Sequence, residues 1–375
     1  MKIVIAPQAF KGCASAHVIA STIAAGVHRA FPNAQLVIAP VADGGDDTLE
    51  ILLATKGGER HHSQTWGPFG ESKSVYWGGL TNAFPKTAVI ESARICGLAN
   101  LEKNKRDPLL TSTYGIGALM NQAMQKDFRR LFIGLGGSAT NDAGVGLAQA
   151  LGVRFLDSKG NDLPKGGGSL INLSHIDTSR LNPFLEHVEV IAGCDVINPL
   201  LGPNGSSKIF SPQKGASKKV ADQLEAGMLN FAKVVKKEFD QDLSTIPYLG
   251  AAGGTPACLL LFCDASLVSG ARWILNEIGF DKIIEDADLV ITGEGCIDLQ
   301  TASEKAPMIV AEAAKKRGIP VIAIVGTSGP GADSLKGKGF DAIFMVSPNA
   351  SVIPANALQL LQKTAERSVR EFLAS

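Results

Sequence analysis

Short apolar and β-branched runs alternate along the chain with stretches whose apolar residues recur at helical spacing. Lys2–Ala6 reads as a strand, and Ala16–Phe31 as a helix with one apolar face. Gln35–Pro40 is the next strand, running into Val41-Ala42-Asp43-Gly44-Gly45-Asp46-Asp47-Thr48, a turn that opens a helix. The same order returns near the end. A strand at Asp288–Ile291 leads to Gly293-Glu294-Gly295, Pro307–Arg317 is helical, and Pro320–Gly326 and Ala342–Val346 are strands. Strands separated by helical runs predict right-handed βαβ units and a parallel sheet. These strands are apolar throughout rather than alternating, which predicts helices on both faces.

The middle has a different pattern. His61–Pro85 intersperses Trp66, Phe69, Tyr76 and Trp77 with glycines, which predicts antiparallel hairpins. Asn161–Ser169 reads as a loop, Lys233–Glu238 as a solvated helix face and Ala257–Cys263 as buried core. The expected fold class is therefore α/β with two domains. Residues 1–60 and 270–375 form a Rossmann-like parallel-sheet domain, and 60–270 form an inserted α/β domain. The length of 375 residues agrees, at about 150 per domain. The strand at Leu131–Ile133 could belong to either domain.

Composition narrows the function classes. Hydrophobic residues are 45% and charged residues 19%, a globular profile. Lys plus Arg is 36 and Asp plus Glu is 36, so there is no basic excess for nucleic acid or an anionic membrane. No apolar run reaches membrane-spanning length, and the apolar start is too short for a signal peptide. The six cysteines are scattered without a Cys-x-x-Cys, so reduced thiols and a cytoplasmic location are expected. The six histidines form no His-x-x-x-His or Cys/His cluster, which argues against zinc.

The 41 glycines gather into clusters with Asp, Asn, Ser or Lys. These are Phe10-Lys11-Gly12, Asp43-Gly44-Gly45, Gly134 through Asp142, Pro212-Gln213-Lys214-Gly215, and Gly293-Glu294-Gly295 with Asp298. Glycine lets backbone N–H groups approach a ligand, lysines supply charge for phosphate, and carboxylates hold Mg²⁺ or take a proton. Five such clusters speak for a ligand site. No Gly-x-x-x-x-Gly-Lys-Ser/Thr is present, nor a Gly-x-Ser-x-Gly elbow. Gly134-x-Gly136-x-x-Ala139 after a strand, with Asp157 beyond, does match a dinucleotide fingerprint. Against it stands the polar run Ser138-Ala139-Thr140-Asn141-Asp142. Cys194 as a thiol nucleophile has no histidine near it in sequence.

The block Gly134–Gly152 resembles the bacterial type 1 glycerate kinases. Six further blocks agree in order: Pro40–Gly45, Arg106-Asp107-Pro108 through Gly117, Cys194–Leu200, Phe210–Ala216, Gly250–Gly254 and Asp288–Gly295. Together they cover essentially the whole chain. The resemblance implies ATP- and Mg²⁺-dependent phosphorylation of glycerate, usually at the 2-hydroxyl, in a cleft between two α/β domains. Asp195 is then the first choice to orient and deprotonate the hydroxyl, with Asp43 next. Lys11 and Lys214 are phosphate or carboxylate partners, and Gly136, Gly137 and Ser138 are backbone donors. Gln213, Asn141 and Arg106 join the substrate and phosphate side, and Glu294 and Asp298 are the Mg²⁺ side.

Several motif positions depart from that family's pattern. Asp-Ser-Phe-Lys-Gly-Ser is here Gln8-Ala9-Phe10-Lys11-Gly12-Cys13, and Asp-Gly-Gly-Glu-Gly-Thr is Asp43-Gly44-Gly45-Asp46-Asp47-Thr48. Gly-Glu-Gly-Arg-x-Asp has Cys296 for its Arg, Gly-Lys is Glu304-Lys305, and Ala118 replaces a Glu. A thiol cannot replace a guanidinium's forked donors. The residues therefore leave three outcomes open: glycerate, another small hydroxy acid, or weak or absent catalysis. If these positions face the same ligand as in that family, restoring Cys296→Arg, alone and with Gln8→Asp, raises kcat/KM for glycerate; if another acid fits the altered pocket, the reversion lowers activity on that acid.

Overall fold

The computed structural model describes residues 1–298, 305–347 and 356–374. Its contacts divide the chain into two units, Met1–Asp43 with Ala271–Ser375, and Gly44–Gly270. The first unit is built on β1 (Lys2–Pro7), β2 (Gln35–Ile38), β11 (Leu289–Gly293), β13 (Val321–Val325) and β15 (Ala342–Met345). Their order is β15-β13-β11-β1-β2, and every neighbouring pair is parallel. The terminal strand and the strand at 289–293 thus pair directly, Ile3 opposite Leu289 and Pro7 opposite Gly293. Central strands β11 and β13 are buried at every residue, as continuous apolar runs require, whereas edge strands β2 and β15 are half-exposed.

Helices of this unit are α1 (Ala16–Ala30), α9 (Gly270–Glu277, from its second residue on), α10 (Phe280–Ile283), α11 (Ala306–Lys315) and α12 (Ala357–Ala374). A short parallel pair, β12 (Cys296–Ile297) and β14 (Thr327–Ser328), extends two of the strand ends. Ile19, Ile23 and Val27 of α1 and Leu361, Ala365 and Val369 of α12 pack with Ile3, Ile5, Ile291 and Ile324 of the sheet.

The inserted unit carries a mixed sheet. It contains β3 (Glu59–Trp66), β4 (Ser72–Leu80), β5 (Thr87–Glu91), β6 (Arg130–Gly134), β9 (Glu189–Cys194) and β10 (Ser266–Ser269), in the order β10-β9-β6-β5-β4-β3. The β3–β4 and β4–β5 pairs are antiparallel, the hairpin grammar read from the aromatic stretch, and the rest are parallel. Leu131–Ile133 lies in this sheet. A small antiparallel pair, β7 (Arg154–Leu156) and β8 (His175–Asp177), stands apart from it.

Its helices are α2 (Thr48–Lys56), α3 (Ser92–Cys96), α4 (Tyr114–Gln125), α5 (Val145–Ala150), α6 (Ser206–Phe210), α7 (Lys218–Phe239) and α8 (Thr255–Cys263). Ile116, Leu119 and Met120 of α4 pack on Ile90 and Ile133 of the sheet. A second cluster gathers Phe155, Met228, Phe231 and Phe262 from β7, α7 and α8. The boundary falls earlier than residue 60 because α2 packs on β4 and β5 of the inserted unit. The segment expected as a loop at 161–169 ends in a single 3₁₀ turn, Gly167–Asn172, against α7.

Gly26 sets how closely α1 meets α12. A Cβ there would run into the Gln362 carbonyl oxygen and lie 2.8 Å from Ala365 Cβ. Overpacking costs about 1–3 kcal/mol, and Ala is favoured over Gly in a helix by about 1 kcal/mol. Backbone is harder to move than a side chain, so the clash outweighs the propensity. Gly26→Ala should lower the thermal unfolding midpoint and Gly26→Leu should lower it further. A raised midpoint in both would mean the helices are not seated as described.

Candidate active site

In the first unit, the C-terminal ends of β1, β2, β11 and β13 surround a pocket of about 470 Å³. Ligands of open α/β sheets bind at such strand ends, where successive connections leave in opposite directions. Here the chain runs from β1 to β2 on one side, while β11 lies on the other. Gln8, Lys11, Asp43, Glu294, Asp298 and Lys305 all line the pocket. Gln8 N donates to Gly293 O, tying the end of β1 to β11. The buried Gln8 side chain donates from Nε2 to Asp43 Oδ2 at 2.6 Å, and Asp43 is equally buried. Lys11 is exposed on a tight loop closed by the mutual Phe10–Ala14 backbone bonds and anchored by buried Phe10.

Glu294 and Asp298, the expected metal side, do converge on one cation. That cation is Lys305, whose Nζ lies 3.4 Å from Glu294 Oε2 and 3.7 Å from Asp298 Oδ1. Among the described residues no group of three His, Cys, Asp or Glu side chains is placed to hold a metal. Cys296 is exposed in the same pocket, and Cys13 is exposed on the Lys11 loop. Glu304 lies outside the described residues. The amide of Gln8 changes the expectation for its reversion, because Asp at position 8 would bring a second carboxylate toward Asp43.

In the inserted unit, the loop after β6 gathers most of the remaining expected residues. Gly136 N donates to Gly44 O at 3.4 Å. A Cβ on Gly136 would lie 2.7 Å from Gly45 Cα and 3.5 Å from Asp195 Oδ2, so Asp195, just past β9, stands beside this turn. Lys214 is buried and donates to Thr140 O at 2.7 Å and Ser138 Oγ at 3.4 Å. Burial lowers its pKa to about 8, opposed by nearby Cys96, Asp195 and Asp142. Asn141, fully buried, donates to Ser207 Oγ at 3.1 Å.

Arg106 and Gln213 are placed together but not as an anion clamp. The Arg106 guanidinium donates to the carbonyls of Leu98, Leu101 and Gln213, at 3.2–3.3 Å, and the Gln213 side chain is exposed. Arg106 therefore holds the backbone on which the Lys214 turn sits. Cys194 is buried, and desolvation first and Asp195 second push its thiol pKa well up, so it is no nucleophile.

Sequence reasoning missed Asp142 as a structural centre. Fully buried, it accepts from Thr113 N and Oγ1 and from the backbone N–H groups of Gly144 and Gly146, at 2.9–3.2 Å. Burial raises its pKa against the pull of those four bonds. Also missed was a pocket of about 760 Å³ in this unit, lined by Asp46, Asp47, Lys73, Tyr76, Arg94 and Asn100 among others. Arg94 stacks 4.1 Å from the Tyr76 ring centre and pairs with Glu91 and Glu50. Those residues are scattered in sequence and carry no motif.

The dinucleotide fingerprint fails in its structural context. Gly134-x-Gly136 does not open a helix, since α5 begins only at Val145 and spans six residues. The Asp157 that would meet a ribose follows β7, which pairs antiparallel with β8 in a separate sheet. A dinucleotide site needs that strand beside β6 and parallel to it.

The family model described as the glycerate kinase family matches residues 3–373. A glycerate kinase of Halalkalibacterium halodurans is 42% identical over 99% of this chain and 97% of its own length. The glycerate 2-kinase of Escherichia coli K12 is 43% identical over 92% of this chain and 90% of its own. A crystal structure from Salmonella typhimurium LT2, assigned as a glycerate kinase 2, superposes with a TM-score of 0.82 at 37% identity, covering 100% of this chain and 98% of that one. The chain belongs to the glycerate kinase family.

Proposed function

We propose that this chain transfers the terminal phosphoryl group of ATP to the 2-hydroxyl of glycerate, giving 2-phosphoglycerate. The observation that carries the reading is the nearly full-length match to glycerate kinases, including 43% identity to a glycerate 2-kinase. No helix among the described residues is long and apolar enough to cross a membrane. We place the reaction in the cytoplasm, where ATP is supplied as its magnesium complex.

Phosphoryl transfer asks chiefly for positioning and for neutralisation of spread negative charge. In this proposal Asp195 accepts the proton of the attacking hydroxyl, and the Gly136-Gly137-Ser138 turn beside it donates backbone hydrogen bonds to phosphate. Lys214 holds that turn in shape from below through Ser138 and Thr140. Lys11 supplies positive charge for phosphate, and Gln8 fixes the orientation of Asp43. Magnesium carried on the nucleotide would supply charge that screens the phosphates. The neutral residues Gln8, Ala9 and Cys296 in the 470 Å³ pocket favour a second reading, in which a related hydroxy acid is the better acceptor. Initial rates against a panel of small hydroxy acids separate the two.

Three outcomes follow. Asp195→Asn should slow the chemical step in single turnover by about 10²–10⁴-fold, the usual contribution of a positioned base. An unchanged step in a folded variant removes Asp195 from that role. Gln8→Asp should lower kcat/KM by about two- to tenfold, through loss of the bond to Asp43, and a rise would restore the family pattern as the better guide.

The lowered pKa of Lys214 gives the third. Between about 8 and its ordinary 10.5 the unfolded chain binds this proton more tightly than the folded one, so stability should rise with pH across that window. Activity should fall across it, as the ammonium bracing the phosphate turn is lost. Lys214→Met should be poorly active and should lack this increment of stability. Activity and stability moving in the same direction in wild type would exclude the bracing role.

A further inference from the structure

The Glu294–Asp298 pair carries an inference about how metal reaches this enzyme. Glu294 is buried at the end of β11, and Asp298 follows β12. Lys305 precedes α11, and its carbonyl accepts from the N–H groups of Met308 and Ile309 at 3.0 and 3.2 Å. The helix start therefore fixes the backbone from which this ammonium reaches both carboxylates. The Lys305 side chain is only 20% exposed.

Magnesium demands near-octahedral oxygen ligands at about 2.0–2.1 Å and gives up its waters reluctantly. Two carboxylates that already share an ammonium offer such an ion repulsion as well as attraction, because Lys305 would stand within a few ångströms of it. Like charges that close oppose one another strongly in a partly buried pocket. The donor set alone suits magnesium, but the cation it has been given is a side chain.

We infer that Lys305 is the resident counter-ion of Glu294 and Asp298, so that a divalent ion does not bind the free protein here and enters only on the phosphates of the nucleotide. Lys305 is thus a positioning residue. It holds two carboxylates in place and offsets their charge in a pocket that must admit phosphate. The inference rests on reading this pocket as a phosphoryl-transfer site, but its test needs no turnover.

The test is Mn²⁺ uptake by the full-length chain, read from loss of the free-ion EPR signal. Without nucleotide, wild type should show no saturable site across a micromolar to millimolar titration. Lys305→Met should gain one site, about tenfold tighter or more than anything in wild type, and Lys305→Met with Glu294→Gln should lose it. Lys305→Gln serves in place of the Met variant if that protein does not fold. Stoichiometric uptake by nucleotide-free wild type that Glu294→Gln removes would overturn the inference, as would a folded Lys305 variant that gains no site. Adding ATP should recruit Mn²⁺ to wild type. Because ATP alone removes the free-ion signal, the nucleotide arm is read as Mn²⁺ that co-elutes with wild type on gel filtration in Mn²⁺–ATP buffer, above a protein-free control. Failure of that arm alone would count against the kinase reading of the pocket, while the nucleotide-free arms would still decide the role of Lys305.

Discussion

The inserted unit depends on one backbone contact made without side chains. The turn at Gly44-Gly45 lies directly on the ends of β6 and β9. A Cβ on Gly134 would strike the Gly44 carbonyl, and one on Gly44 would lie 3.0 Å from Gly193 O. Leu135 N donates to Gly193 O at 3.0 Å, closing the loop onto the neighbouring strand. The strands are held by a buried core that includes Leu131, Ile133 and Ala192, so their ends are fixed points. Glycine is what lets a turn from far back in the sequence reach those points, and Asp195 gains its neighbours through that approach.

Buried charge then holds the loop between the strand and α5. An unpaired buried carboxylate or ammonium would be costly, and each is satisfied here by groups whose positions the loop must supply. Asp142 requires the N–H groups of Thr113, Gly144 and Gly146 to converge on it, while Lys214 requires the Thr140 carbonyl and the Ser138 hydroxyl. These demands act from opposite ends of the same segment. The polar run that weakens the dinucleotide fingerprint in sequence is thus the internal framework of the loop, and its side chains point inward.

The parallel sheet of the first unit was legible because β1, β11 and β13 are apolar on both faces, a pattern few other environments produce. The aromatic hairpin was legible from Trp66 to Trp77 for the related reason that its strands alternate with turn glycines. The place of α2 was not. Its sequence follows β2 without a break in grammar, and only contacts with β4 and β5 assign it to the other unit. For the candidate site, motif residues marked the right loops but not the roles within them. Arg106 and Lys214 both read as anion partners, since sequence gives charge without direction. The structure turns one onto three carbonyls and buries the other. Lys73, Tyr76 and Arg94 meet only through pairing of β4 with β5 and the short helix after it, a relation no local spacing encodes.

The distribution of departures from the family pattern follows from these constraints. Position 47 has φ +68° at the start of α2, a left-handed conformation natural to glycine and tolerated by Asp better than by most residues. The Gly-to-Asp change there keeps the turn. Gln8 gives up a carboxylate but supplies a donor to Asp43, so the buried pair remains satisfied. Cys13 and Cys296 are exposed, where loss of a hydroxyl or a guanidinium leaves no buried group unpaired. The loop within Gly134–Gly152 leaves less room for such changes. A side chain at Gly134, Gly136 or Gly144 would meet backbone at contact distances real Cβ atoms do not show, and loss of Asp142 would strand several buried donors at once. Side chains that face an open pocket are free to change the ligand they select, whereas those that hold two backbones together are not.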